Sequence, residues 1–250
     1  MPKNYTPGYS AAAVAFMSRR RLDPDGAFFR PVLHAGLSVL DCGCGPGSIT
    51  CDIAGAVAPG SVVGVDASDA QVQLARAHAR SRSLGNVWFR RAEAEALPFA
   101  DGQFDAVFSN ALLEHLSDPE PAVGEFFRVL KPGGVLGVRT PDWGGFLVAP
   151  PGEALDRALA AYVRLQQSNG GDPFVGRRLG DLFEQAGFER IAQEARFENY
   201  SSRALIADFL ALNLEEAGDH ANAATWRGYA RQPRGMFAQA WVFCTGHRPS

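Results

Sequence analysis

From Leu37 onward, short runs that are apolar on both faces alternate with longer runs of helical period. The runs LSVLDC, SVVGVDAS, NVWFRRA, FDAVFSN and GGVLGVRT predict five strands. Their lack of a polar face predicts a parallel sheet covered on both sides. The segments between them predict helices with identifiable ends. SITCDIAGAVAP is stopped by Pro59 and Gly60. SDAQVQLARAHARSRSLG opens with Ser68 or Asp69 as N-cap and closes near Gly85. DPEPAVGEFFRVLKPGG has Asp118 as N-cap, prolines in its first turn and a Lys-Pro-Gly-Gly stop. This strict alternation implies βαβ units with right-handed crossovers in a doubly wound α/β sheet. Two later runs, FERIAQEARFENY and MFAQAWVFCTG, predict further strands.

Three segments fall outside the alternation. Residues 1–36 predict two helices, SAAAVAFMSRR and GAFFRPVLHAG, which form an N-terminal cap before a main domain of residues 37–250. Residues 142–175 are rich in Gly and Pro around an amphipathic stretch from Ala154 to Gln167, and TPDW is expected to turn the chain after the fifth strand. Residues 201–233 are a second helical insertion. Ligands of open α/β sheets bind beyond the carboxyl ends of the strands, so both insertions are expected to lie over the pocket as a lid.

Composition narrows the class. A chain of 250 residues, 46% hydrophobic and 20% charged, fits one well-packed domain. A formal net charge of -3 speaks against a nucleic-acid partner. No apolar run reaches the roughly 18 residues of a membrane span, so no membrane partner is expected. The start, MPKNYTPGYS, has no apolar signal-peptide core, and two of the four cysteines share one tight loop. A cytoplasmic protein with reduced thiols, monomeric or homodimeric, is the expectation.

The chemistry concentrates in VLDCGCGPGSIT, between the first strand and the next helix. Glycines there let the backbone turn sharply and let a ligand approach the main chain. Gly43, Gly45 and Gly47 are evenly spaced, so the last position of a dinucleotide G-x-G-x-x-G falls on Ser48. Asp41, just before the loop, is a poor neighbour for pyrophosphate and suits a cationic ligand. Asp66 ends the second strand, where a carboxylate accepts hydrogen bonds from both ribose hydroxyls or caps the following helix.

The ordered set VLDCGCGPGSIT, VVGVDAS, RRAEAEALPFADGQFDAVFSNALLEHLSDP and RVLKPGGVLGVRTPDW resembles the class I S-adenosylmethionine-dependent methyltransferases. It is similar in particular to the small-molecule branch of the ubiquinone/menaquinone C-methyltransferases. The resemblance covers residues 39–143 and implies a Rossmann-like, seven-stranded sheet, mostly parallel with an antiparallel last strand. It implies S-adenosylmethionine as cofactor, S-adenosylhomocysteine as product and a small-molecule substrate. By its motifs Asp41, Gly43, Cys44 and Gly45 lie under the methionine part. Asp66, with Ala67 and Gln71 nearby, holds the ribose. Glu93, where the family usually has Asp, faces the adenine amino group between Ala92 and Ala94. Asn110 and Ala111 offer backbone groups to the ammonium and sulfonium end. N-terminal helices commonly close over that end in this branch, which makes Tyr9 and Arg20 candidates for contact with cofactor or substrate.

Cys42 and Cys44 lack the spacing and the second ligand pair of a structural zinc site, so no metal is expected. His115 is a candidate general base, or else a residue that orients a loop or touches the cofactor. Trp143, Tyr162, Phe174 and Tyr200 are candidate walls of an acceptor pocket. A nucleic-acid methyltransferase and an aminopropyltransferase remain alternatives on the same fold. SNALL replaces the N-P-P-Y-like motif of the first, and acidic residues do not cluster as the second requires. A binding module without activity is a further alternative.

Overall fold

Val39 and Leu40 are neighbours in the chain but belong to different hydrophobic clusters. This follows from the two-residue period of a strand. Ala106 and Phe108 likewise face one cluster and Val107 the other. The computed structural model describes residues 5–200 and 202–250. Residues 1–4 of the expected cap, and Ser201 at the start of the second insertion, lie outside the described residues.

The chain begins with α1 (Ala11–Met17) and the short α2 (Leu22–Asp25), then enters the sheet through β1 (Ser38–Cys42). There follow α3 (Ser48–Val57), β2 (Ser61–Asp66), α4 (Asp69–Ser81), β3 (Val87–Arg91), β4 (Phe104–Asn110), α5 (Glu120–Val129) and β5 (Leu130–Ala149). The remainder comprises α6 (Glu153–Ser168), α7 (Leu179–Gln185), β6 (Glu189–Asn199), α8 (Arg203–Glu216), α9 (His220–Ala230) and β7 (Met236–His247). The seven strands of the described residues form one sheet in the order β3-β2-β1-β4-β5-β7-β6. The strands β1 to β5 pair in parallel, and β7 runs antiparallel to both its neighbours. The reversal of order between β1 and β4 opens a crevice at their carboxyl ends.

Helices cover both faces. One cluster joins α3 and α4 to the sheet through Ile53, Ala75 and Phe89, and the other joins α5 and α7 through Phe126 and Phe183. A third cluster packs α6, α8 and α9 against each other and the far end of the β5–β7 ribbon, around Tyr162, Leu210, Trp226 and Phe237. The N-cap of α4 is Ser68, whose hydroxyl accepts from the Gln71 N–H. Ser68→Ala is expected to lower stability by about 1 kcal/mol, to be read as a shift in the denaturant midpoint.

Three local expectations are corrected. GAFFRPVLHAG forms a 3-10 helix over Ala27–Val32, because Pro31 withholds an N–H and crowds the preceding turn. The helix after Asp118 begins at Glu120 with Pro119 at the cap, and Asp118 accepts the Glu120 N–H at 3.0 Å from one residue further back. TPDW does not turn the chain. β5 runs through it to Ala149, with a bulge between Asp142 and Phe146 that Gly144 and Gly145 permit. A side-chain carbon on Gly145 would lie 2.7 Å from Ala240 Cβ.

Candidate active site

The loop after β1 is held by backbone geometry. Gly43, Gly45 and Gly47 have φ of 79°, 51° and 78°, left-handed values that a side chain disfavours. The N–H groups of Gly43 and Cys44 both donate to the Val65 carbonyl at 2.9 Å. Asp66 fastens the loop to β2: Oδ2 accepts the Gly45 N–H and Oδ1 the Ser68 N–H, each at 2.9 Å. Lone pairs on both oxygens remain for a ligand. Burial raises the Asp66 pKa, the two N–H groups pull it back, and Glu93 pushes it up again.

Asp41 is buried at the base of the loop, where Oδ2 accepts the Thr50 hydroxyl at 2.6 Å. Burial pushes its pKa to about 7 against the pull of that bond, and the Asp66 charge adds to the rise. At the end of β4, Ala111 has φ of 54°, a strained value for a residue with a side chain, and its N–H donates to Arg139. Strain at the carboxyl end of a central strand directs the Asn110–Ala111 backbone toward the crevice.

These elements enclose a cavity of about 660 Å³. Asp41, Gly43, Cys44 and Gly45 form one wall, and Asp66, Ala67 and Gln71 the next. Ala92, Glu93 and Ala94 line the β3 side, Asn110 and Ala111 the β4 side, and Tyr9 and Arg20 the N-terminal side. His115 also lines the cavity; burial, and then the Arg20 charge, pull its pKa down to about 3. Tyr5 and Met17 were missed by sequence reasoning. Tyr5 carries the same signal as Tyr9, an aromatic ring in the N-terminal segment, and the two stack at 5.2 Å.

The expected acceptor walls are elsewhere. Trp143 and Tyr162 are buried against each other with ring centres 4.6 Å apart. Tyr200 donates its hydroxyl to Gln239 at 3.1 Å, and Phe174 lies under the Arg177 guanidinium. None of the four lines the cavity. Trp143 and Tyr162, with the half-buried Tyr200 beside them, pack instead with α6, α8, α9 and the β5–β7 ribbon, a contact that removes more apolar surface from water than a solvated pocket wall would.

The cavity suits a nucleoside with a cationic amino-acid arm. Gln71 is 2% exposed, yet among the described residues neither its amide oxygen nor its amide nitrogen has a partner. A donor and an acceptor held unpaired beside a carboxylate match a ribose or adenine edge. Among the described residues no group of three or more His, Cys, Asp or Glu is placed to hold a metal ion. The four cysteines are free and buried, and burial raises each thiol pKa.

A family model described as a methyltransferase domain matches residues 40–138. The demethylmenaquinone methyltransferase of Lactiplantibacillus plantarum is 32% identical over 193 residues, which span 71% of this chain and 79% of that one. The chain belongs to the S-adenosylmethionine-dependent methyltransferases. An uncharacterised 37.1 kDa protein of a Streptomyces fradiae transposon is 37% identical over 154 residues, 61% of this chain and 44% of the relative. The chain thus spans less than half the length of that relative. A putative methyltransferase of Bacillus halodurans, known from its crystal structure, matches the fold with a TM-score of 0.68 at 20% identity. That match covers 91% of this chain and 100% of the other chain. No helix among the described residues is long and apolar enough to cross a membrane.

Proposed function

We propose that the protein moves a methyl group from S-adenosylmethionine to a small organic acceptor. The observation that carries this reading is the unpartnered, buried Gln71 amide, set beside Asp66 in a cavity that also holds Asp41. Asp66 holds the ribose hydroxyls, and Glu93, exposed at the rim, takes the adenine amino group. Ala67, Ala92 and Ala94 shape the adenine slot. The backbones of Gly43 and Gly45 lie under the methionine arm, with Cys44 between them as a small apolar neighbour. Asp41 and the Asn110–Ala111 backbone receive the ammonium. Tyr9 and Arg20 close the N-terminal side. When bound, the cofactor supplies an electrophilic methyl carbon on a sulfonium. The chain supplies orientation and exclusion of water, and His115 holds a base at the acceptor's edge. α6, α8 and α9 cover the far end of the β5–β7 ribbon.

The acceptor reading draws support from relatives such as the Lactiplantibacillus plantarum enzyme, whose name specifies demethylmenaquinone, an organic molecule and not a nucleic acid. The net charge of -3 fits this better than a polyanion. Calorimetry with S-adenosylhomocysteine, followed by a labelled-methyl assay against a metabolite extract, tests the proposal. One-to-one binding and label in small molecules are expected. Label in nucleic acid, or binding without transfer, would overturn it.

A further inference from the structure

Glu114 is the most deeply buried carboxylate near the cavity that the assignments above do not use, at 2% exposed. It sits in the 3-10 turn Leu113–His115 that follows β4. Two neighbours fix it. Oε2 accepts the Thr140 hydroxyl at 2.8 Å, and the Glu114 backbone carbonyl accepts the Gln166 amide at 2.8 Å. With Oε2 engaged by β5, Oε1 faces the next residue, 3.6 Å from His115 Nε2. The Tyr5 ring packs edge-on against the imidazole at 4.7 Å between centres. The other ring nitrogen, Nδ1, is buried and has no hydrogen-bond partner among the described residues.

We propose that Glu114 and His115 form a proton-relay pair, with Glu114 a positioning residue that ends as the holder of the proton, and that the acceptor is a group that must lose a proton: a hydroxyl, an N–H or an acidic C–H. The proposal rests on the methyl-transfer reading and extends it to the substrate class. A carboxylate facing Nε2 keeps the proton on that nitrogen and leaves the Nδ1 lone pair for a ligand. The gap of 3.6 Å is longer than a hydrogen bond, and such contacts tighten when a ligand fills the site.

The step balances. The acceptor X–H bond gives its proton to Nδ1 while Nε2–H passes to Glu114 Oε1, and the imidazole emerges neutral. The acceptor lone pair forms the bond to the methyl carbon, and the carbon–sulfur pair remains on sulfur. One positive charge is lost from the site, and one negative charge with it. A buried chamber therefore keeps its net charge through the reaction, which removes a large electrostatic penalty. Electrostatics of the pair agree with the direction of transfer. Burial raises the Glu114 pKa to about 7, against the Thr140 hydrogen bond and the charges of Arg20 and Arg139. Burial and Arg20 hold the imidazole far below that value. The remaining titratable groups that face the pair are Tyr5 and Tyr162, whose phenols burial keeps neutral.

The test is spectroscopic and needs no acceptor. The imidazole nitrogens of His115, assigned by their loss in His115→Gln, are followed by ¹⁵N NMR between pH 5.5 and 8.5 in the free protein. A neutral ring is expected throughout, protonated at Nε2 above an inflection near pH 7 that reports Glu114. Glu114→Gln, nearly isosteric, should abolish the inflection, and Thr140→Val should move it to higher pH. Protonation of the ring itself in this range, or an inflection that survives Glu114→Gln, would overturn the relay. Calorimetry of the wild-type protein with S-adenosylhomocysteine is the separate control. Failure there would remove the methyl-transfer reading while leaving the titration result to stand or fall alone.

Discussion

Asp66→Ala is expected to weaken S-adenosylhomocysteine binding about 100-fold, with the fold retained. Two losses combine. The ribose loses its acceptors, and hydrogen bonds to a charged group contribute roughly 1.5–3 kcal/mol each, about a factor of 10 to 100. The Gly45 and Ser68 N–H groups also lose their partners, so the loop after β1 is no longer fastened to β2 from that side. Asp66→Asn should fall between wild type and alanine, because an amide oxygen replaces one acceptor while its NH₂ repels a backbone N–H. Calorimetry reads the affinity, and circular dichroism checks that the sheet is intact. An alanine variant that binds as tightly as wild type would sink the assignment of Asp66 to the ribose.

Asp41, Asp66 and Asn110 are legible in the sequence because each is a polar residue at or next to the carboxyl end of a mainly apolar strand. An apolar run that ends in one polar side chain, at the carboxyl edge of a parallel sheet, leaves that side chain few other uses. The helices α3 and α4 are equally legible, since their stops and caps are local. The full length of β5 is not. Pro141 suggests a turn, because a central strand needs its N–H. Pairing between β4 and β5 ends at Arg139, so Pro141 lies where β5 is free on that side and needs no donor there. That exemption depends on where β4 stops, which is a tertiary fact.

The aromatic residues of the insertions show a second limit. The aromatic character of Trp143, Tyr162 and Tyr200 says that each seeks an apolar contact, but not which one. Periodicity places Tyr162 on the apolar face of α6 and cannot distinguish a cavity from the ring of Trp143. The Glu114–His115 pair is visible as adjacent letters. Its significance comes from Thr140 of β5, which fixes the carboxylate, and from Gln166 of α6, which holds the Glu114 backbone carbonyl. Electrostatic consequences of burial are the part of the site that a sequence conceals most completely.

Cofactor-product affinity should fall as pH drops below about 7, by roughly tenfold for each unit at first. The cause is Asp41, whose carboxyl burial holds near 7 in the free protein. Below that pH it carries a proton and is neutral, and a bound ammonium requires the ionised form. Binding must then expel a proton, which costs affinity until the pH reaches the lower pKa of the complex. The effect on the ligand-free protein has the opposite sign. A carboxyl whose folded pKa lies above its unfolded value of 3.8 favours the fold most when protonated, so this contribution is full below that value and is lost as pH rises through about 7. The free protein should therefore melt at progressively lower temperature between pH 5 and 8, while the complex holds its melting temperature or gains. Asp41→Asn separates the two effects. It should weaken binding at pH 8 and flatten the pH dependence of affinity, because the amide neither ionises nor balances the ammonium charge. Glu114 still titrates in that variant, so part of the slope in the ligand-free melting curve survives. An affinity that is level from pH 8 to pH 6 in the wild-type protein would place the ammonium away from Asp41.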